Sequence, residues 1–180
     1  EDTLTWIDRL ALDLRQLMAG IGADVDSGLP TVGSTPPGRA NVFNIRPFEC
    51  VGVGPFGLVA LIASALRNDR VSRVGWIGPL VSFVGADAMP WTGLPMGLIA
   101  PDVLDVADVG HLAALVAPKP LVLAGGVEPS GVPASAARRA EAFGYARAAY
   151  RLLGAPQRLT LLDSADVGGF ARALAAADAT

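Results

Sequence analysis

The sequence is poor in the residues that carry most metal and redox chemistry. Its 180 residues include one cysteine, Cys50, and one histidine, His111. A lone cysteine excludes an internal disulfide and any zinc cluster built on cysteine pairs. A lone histidine leaves a zinc site without its second imidazole. The lack of disulfide pairing favours a reducing, cytoplasmic compartment. Charge is scarce as well: 17% of residues are charged, the net charge is −3, and no Lys/Arg cluster stands out, which argues against nucleic-acid binding. No run reaches about 18 uninterrupted apolar residues, so no membrane span is predicted. The chain opens on Glu1-Asp2-Thr3 without a signal peptide, as expected of a mature chain, a processed chain or a fragment.

What is present is apolar. Hydrophobic residues make up 52% of the chain, and the mean hydropathy is +0.45. That balance suits a sheet covered on both faces by helices. It also suits a fragment whose apolar surface expects a partner. The length suits a single domain, here residues 1–180.

Periodicity gives the elements. Ile7, Leu10, Leu14, Leu17, Met18 and Ile21 share one helical face, and Gly20 and Gly22 mark the helix end. Residues 24–40 are rich in Gly, Pro, Ser and Thr and read as a loop insertion, and Asn41 to Pro47 reads as extended. Phe48 to Val53 and Val71 to Ile77 read as strands flanking an apolar helix, Leu58 to Leu66, with a turn at Asn68-Asp69-Arg70. Residues 78–108 form an irregular, cap-like segment whose Met89, Trp91 and Met96 fill core or cover a cleft. A helix at Val106 to Val116, a strand at Pro120 to Ala124 and a long amphipathic helix at Ser135 to Leu153 follow. A strand at Arg158 to Leu162 and a helix at Gly169 to Ala177 complete the chain. The alternation predicts an α/β protein with a mostly parallel sheet flanked by helices.

Gly52-Val53-Gly54-Pro55-Phe56-Gly57 lies between a predicted strand and a predicted helix. It matches G-x-G-x-x-G, which in a Rossmann-like domain cradles a dinucleotide pyrophosphate, and it resembles the cofactor turn of zinc-type alcohol dehydrogenases. The acid that should end the next strand and hold the ribose is missing: the stretch is Trp76-Ile77-Gly78-Pro79-Leu80. The other reading is a nucleophile elbow, G-x-S-x-G. Gly54 then stands at the nucleophile position without a nucleophilic atom. Pro55 cannot donate the backbone N–H that the oxyanion hole takes from this position, and Phe56 crowds a place that is usually small.

Later segments favour the elbow. Leu112 to Leu123 (LAALVAPKPLVL), Gly126-Val127-Glu128-Pro129, Tyr150 to Pro156 (YRLLGAP) and Leu161-Leu162-Asp163-Ser164-Ala165-Asp166 resemble successive parts of the bacterial acetyl-xylan-esterase-like and dienelactone-hydrolase-like branch of the α/β-hydrolases. The resemblance implies the C-terminal half of a three-layer α/β-hydrolase sandwich. It places Glu128 at the triad acid and Asp166 at the histidine position, so the triad is degenerate, and it calls for no cofactor. It also implies that the family's first four strands are absent and that the strand at Phe48 to Val53 is left as an apolar edge. The expected partner is a second copy, a second chain or a missing N-terminal half.

Three functions follow from these features. The first is a catalytically degenerate hydrolase-like module for binding or assembly. The second is an active hydrolase on a carbohydrate ester, using Glu128, Asp166 or His111. The third is a nucleotide-binding domain. Glu128 and Asp166 could share the C-terminal edge of the sheet or stand as separate loop acids. His111 reads as a partly exposed structural histidine, Cys50 as packing, and Ser82, Ser130 and Ser164 as loop serines. Arg138, Arg139 and Arg147 with Glu141 read as a solvated helix face. Phe143, Tyr145 and Tyr150 divide between core and rim.

Overall fold

The computed structural model describes residues 48–66, 70–85 and 102–177. The predicted first helix, the 24–40 loop, the extended segment before Phe48 and the Met89, Trp91 and Met96 group lie outside the described residues. Strands β1 (Phe48–Val53), β2 (Val71–Ile77), β3 (Leu121–Ala124) and β4 (Leu159–Leu162) form one sheet in the order β1-β2-β3-β4, with every neighbouring pair parallel. Parallel neighbours require crossovers, and helices supply them. These are α1 (Phe56–Leu66), the short α2 (Val103–Val106), α3 (Val109–Ala114), α4 (Ala136–Ala142) and α5 (Gly144–Leu152), with α6 (Val167–Ala176) after β4. The observed fold is thus an α/β fold with a parallel sheet flanked by helices. Among the described residues no helix is long and apolar enough to cross a membrane.

Alternation along β3 separates two cores. Leu121 and Leu123 join Leu58, Leu61, Leu112 and Tyr150 in the larger core, while Val122 and Ala124 face Phe170 and Leu174 of α6 on the other side. A strand covered on both faces must be apolar throughout, and Leu-Val-Leu-Ala satisfies that. β1 lies at the other extreme. It pairs only with β2 in the described sheet, and its Phe48, Val51 and Val53 are 50%, 50% and 61% exposed.

Two helices depart most from the sequence expectation. The amphipathic stretch from Ser135 to Leu153 is broken at Phe143, whose backbone (φ −96°, ψ 13°) leaves the helical region. The break has a packing cause. Phe143 enters the core, and α3 approaches so closely that a Cβ at Gly110 would lie 2.1 Å from the Ala142 carbonyl oxygen. The predicted helix from Val106 to Val116 is shorter, running from Val109 to Ala114. α2 ends at Val106, and α3 starts afresh at Val109 behind the Asp108 cap. Propensity shows neither feature, because the first is set by helix–helix contact and the second by the Asp108 cap, whose carboxylate also accepts from Ser82 and the Phe83 N–H. Of the three aromatic residues around α5, Phe143 and Tyr150 are buried and Tyr145 is exposed.

Tyr150 donates its hydroxyl to the Lys119 carbonyl at 2.6 Å. Burial pushes its phenol far above the ordinary range, opposed in part by the Arg158 guanidinium. A raised folded-state value contributes stability that is complete below the unfolded value of about 10 and lost as pH rises above it. Wild-type unfolding free energy should therefore fall above about pH 10 by up to roughly 1.4 kcal/mol per pH unit more than that of Tyr150→Phe. Denaturant titrations of both proteins across that range measure the difference.

Candidate functional site

The turn after β1 is built from glycine contacts and one tryptophan. Gly54 has φ +55°, a region that favours glycine. Its N–H donates to the Ile77 carbonyl at 2.8 Å, which ties the turn to the end of β2. Its carbonyl accepts from the indole N–H of buried Trp76 at 2.6 Å. A Cβ at Gly52 would lie 2.2 Å from the Gly57 Cα, and a Cβ at Gly57 would lie 2.0 Å from the Trp76 ring. Strand end, helix start and indole therefore occupy one another's side-chain space. The direction a side chain would take from Gly54 is open among the described residues, with none of their atoms within 4 Å of an added Cβ.

The N–H groups at the helix start are partly committed. Gly57 donates to the Gly54 carbonyl and Leu58 to the Pro55 carbonyl, each at 3.2 Å, and Pro55 has no N–H. Beside the turn is a cavity of about 40 Å³ lined by Gly54, Pro55, Gly78, Leu80, Glu128 and Pro129, among others. That volume admits a few water molecules and falls well below the roughly 300 Å³ at which small-molecule sites begin.

Glu128 therefore shares a cavity with Gly54. It sits in a tight turn in which the Gly131 N–H donates to its carbonyl at 2.8 Å. Its carboxylate faces the Arg138 guanidinium at 3.4 Å. Asp166 has a different task. It is the N-cap of α6, and its carboxylate accepts from the N–H groups of Gly168 (3.3 Å) and Gly169 (2.6 Å). No hydrogen bond or ion pair joins Glu128 to Asp166 among the described residues. The residue at the expected histidine position works as a helix cap.

The late helices are not a wholly solvated face. Arg139, with a side chain only 15% exposed, binds Asp163 and the Ala134 carbonyl, each at 2.6 Å. Arg138 reaches Glu128 and Glu141. Arg147 is exposed, as expected. Ser164 accepts from the Asp166 N–H at 3.2 Å, and Ser130 lies in the turn after Glu128. Cys50 is half-buried, and burial pushes its thiol above the usual value against a smaller opposing effect of Lys119. That is the opposite of what a reactive cysteine needs.

Ser82, Asp108 and His111 form a cluster that was not visible in the sequence. Buried Ser82 donates to the Asp108 carboxylate at 2.5 Å, and the N–H groups of Phe83 and Val109 donate to the same carboxylate, each at 2.7 Å. His111 accepts from the Asp108 N–H at 3.1 Å through Nδ1, and its ring lies against Tyr145 with centroids 4.6 Å apart. The residue types are those of a triad, but their order is not. Ser82 touches the carboxylate, whereas a nucleophile must contact its base. The cluster fastens the segment after β2 to the start of α3. Only its i, i+3 half, Asp108 to His111, has the spacing of a capping box. Trp76 was equally hidden, because a strand tryptophan gives no sign of the turn it supports. No group of three or more potential metal ligands occurs among the described residues.

These assignments predict an order of stabilities. Asp166→Ala should cost about 1 kcal/mol through loss of the cap. Asp108→Ala should cost more, roughly 3 kcal/mol, because it removes a half-buried acceptor of several bonds, one of them from buried Ser82. Urea unfolding of both variants at neutral pH checks the order.

No protein-family model, curated protein or solved structure matches the chain.

Proposed function

We propose that this chain is a catalytically degenerate α/β-hydrolase-like module, similar to the acetyl-xylan-esterase-like and dienelactone-hydrolase-like branch, that serves in binding or assembly. The observation that carries this reading is the turn at Gly54. A strand-to-helix turn with positive φ, a glycine pair in close contact and an open direction at its centre has the form of an elbow that displays a nucleophile. Here the displayed atom is a hydrogen. Pro55 removes the N–H that would polarise an acyl oxygen. Glu128, beside the cavity, is consistent with the position of a triad acid, but it has no imidazole to orient.

Two features weigh against a dinucleotide. The end of β2, Trp76-Ile77-Gly78, holds no acid for the ribose. The Trp76 ring fills the space beneath the turn and binds the Gly54 carbonyl. Assembly is supported by β1. An edge with no second neighbour among the described residues, and with exposed Phe48, Val51 and Val53, invites a further strand or an apolar cover.

The chain should hydrolyse p-nitrophenyl acetate no faster than buffer, before and after Glu128→Gln. Turnover that vanishes in that variant would instead indicate a hydrolase with altered machinery. The full chain should also self-associate or retain a co-purifying chain in light scattering. Val51→Lys with Val53→Lys should release a monomer. A wild-type monodisperse monomer whose β1 amides exchange freely with solvent would count against assembly.

A further inference from the structure

The sheet gathers cations that are scattered along the sequence. Arg70, Lys119 and Arg158 stand just before β2, β3 and β4. Because these strands are adjacent and parallel, all three residues lie at the end of the sheet opposite the Gly54 turn. α5 runs back towards that end, and its Arg147 and Arg151, one turn apart, lie on the same helical face.

Arg147 and Arg151 line an open cleft of about 390 Å³ with Gly144, Tyr150, Pro156 and Leu159. This volume lies within the roughly 300–1,000 Å³ of small-molecule sites. Arg73, Arg138 and Arg139 each face a carboxylate, from Glu49, Glu128 and Asp163 respectively. Arg147 and Arg151 have no carboxylate partner among the described residues. Two like charges on one helical face repel each other unless an anion lies between them. Guanidinium groups present planar donor forks suited to phosphate and carboxylate. The Tyr150 hydroxyl is committed to the Lys119 carbonyl, so the remaining walls, Pro156 and Leu159, are apolar.

The geometry points to a binding site for a small organic phosphate monoester. The Arg147 and Arg151 forks hold its dianion, and its apolar body lies against Pro156 and Leu159. The site is separate from the Gly54 turn and independent of the proposed loss of hydrolase chemistry.

Isothermal titration of the full chain with phenyl phosphate tests this. Saturable binding is expected, weakened about tenfold or more by Arg147→Gln or Arg151→Gln, abolished by the double variant and unchanged by Arg172→Gln on α6. Inorganic phosphate should bind more weakly than phenyl phosphate. Circular dichroism confirms that each variant is folded. The proposal is overturned by an absence of saturable binding, by binding that survives the double substitution, or by binding to phosphatidate vesicles but not to phenyl phosphate.

Discussion

The arrangement of this molecule depends on how closely the end of β1, the start of α1 and the Trp76 indole approach one another. Gly52 and Gly57 leave no room for a methyl group between strand and helix, and the indole occupies the space that a side chain at Gly57 would need. The indole N–H then takes the Gly54 carbonyl, while the Ile77 carbonyl takes the Gly54 N–H. Residue 54 is thereby fixed at positive φ, facing open space at the C-terminal end of the sheet. This is an expensive conformation for most residues, and glycine removes the cost.

The candidate polar residues have structural partners. Asp166 caps α6, Asp108 fastens the segment after β2 to α3, and Arg139 ties Asp163 to the Ala134 carbonyl. Glu128 is the one candidate that borders the cavity beside Gly54, and it faces Arg138. Carboxylates with such partners hold loops in place, whereas general acid–base work requires a group within reach of a substrate proton. The opposite end of the sheet has a different character. There the arginines of α5 border a larger cleft without carboxylate partners among the described residues.

The regular elements were legible wherever one strong pattern ruled. β1 and β2 have the predicted limits, because Phe48 to Val53 and Val71 to Ile77 are short, valine-rich segments each followed by a glycine. α1 begins at Phe56 instead of Leu58, since Pro55 fits the start of a helix. The break at Phe143 and the later start of α3 were illegible, being set by contacts between distant segments. At the candidate site, the glycine turn itself could be read from the sequence, as could the missing side chain at Gly54 and the missing N–H at Pro55. The support given by Trp76 and the capping by Asp166 could not. The first depends on a partner 22 residues away, and the second on where α6 begins.

The elbow geometry can be tested by giving residue 54 a side chain that reports its surroundings. In a Cys50→Ala background, Gly54→Cys places a thiol in the direction left open by the turn. The protein should remain folded, and this thiol should react with a disulfide reagent nearly as fast as a free cysteine. An unreactive thiol in a folded protein would mean that the turn does not present residue 54 to solvent, and the elbow reading would fail with it.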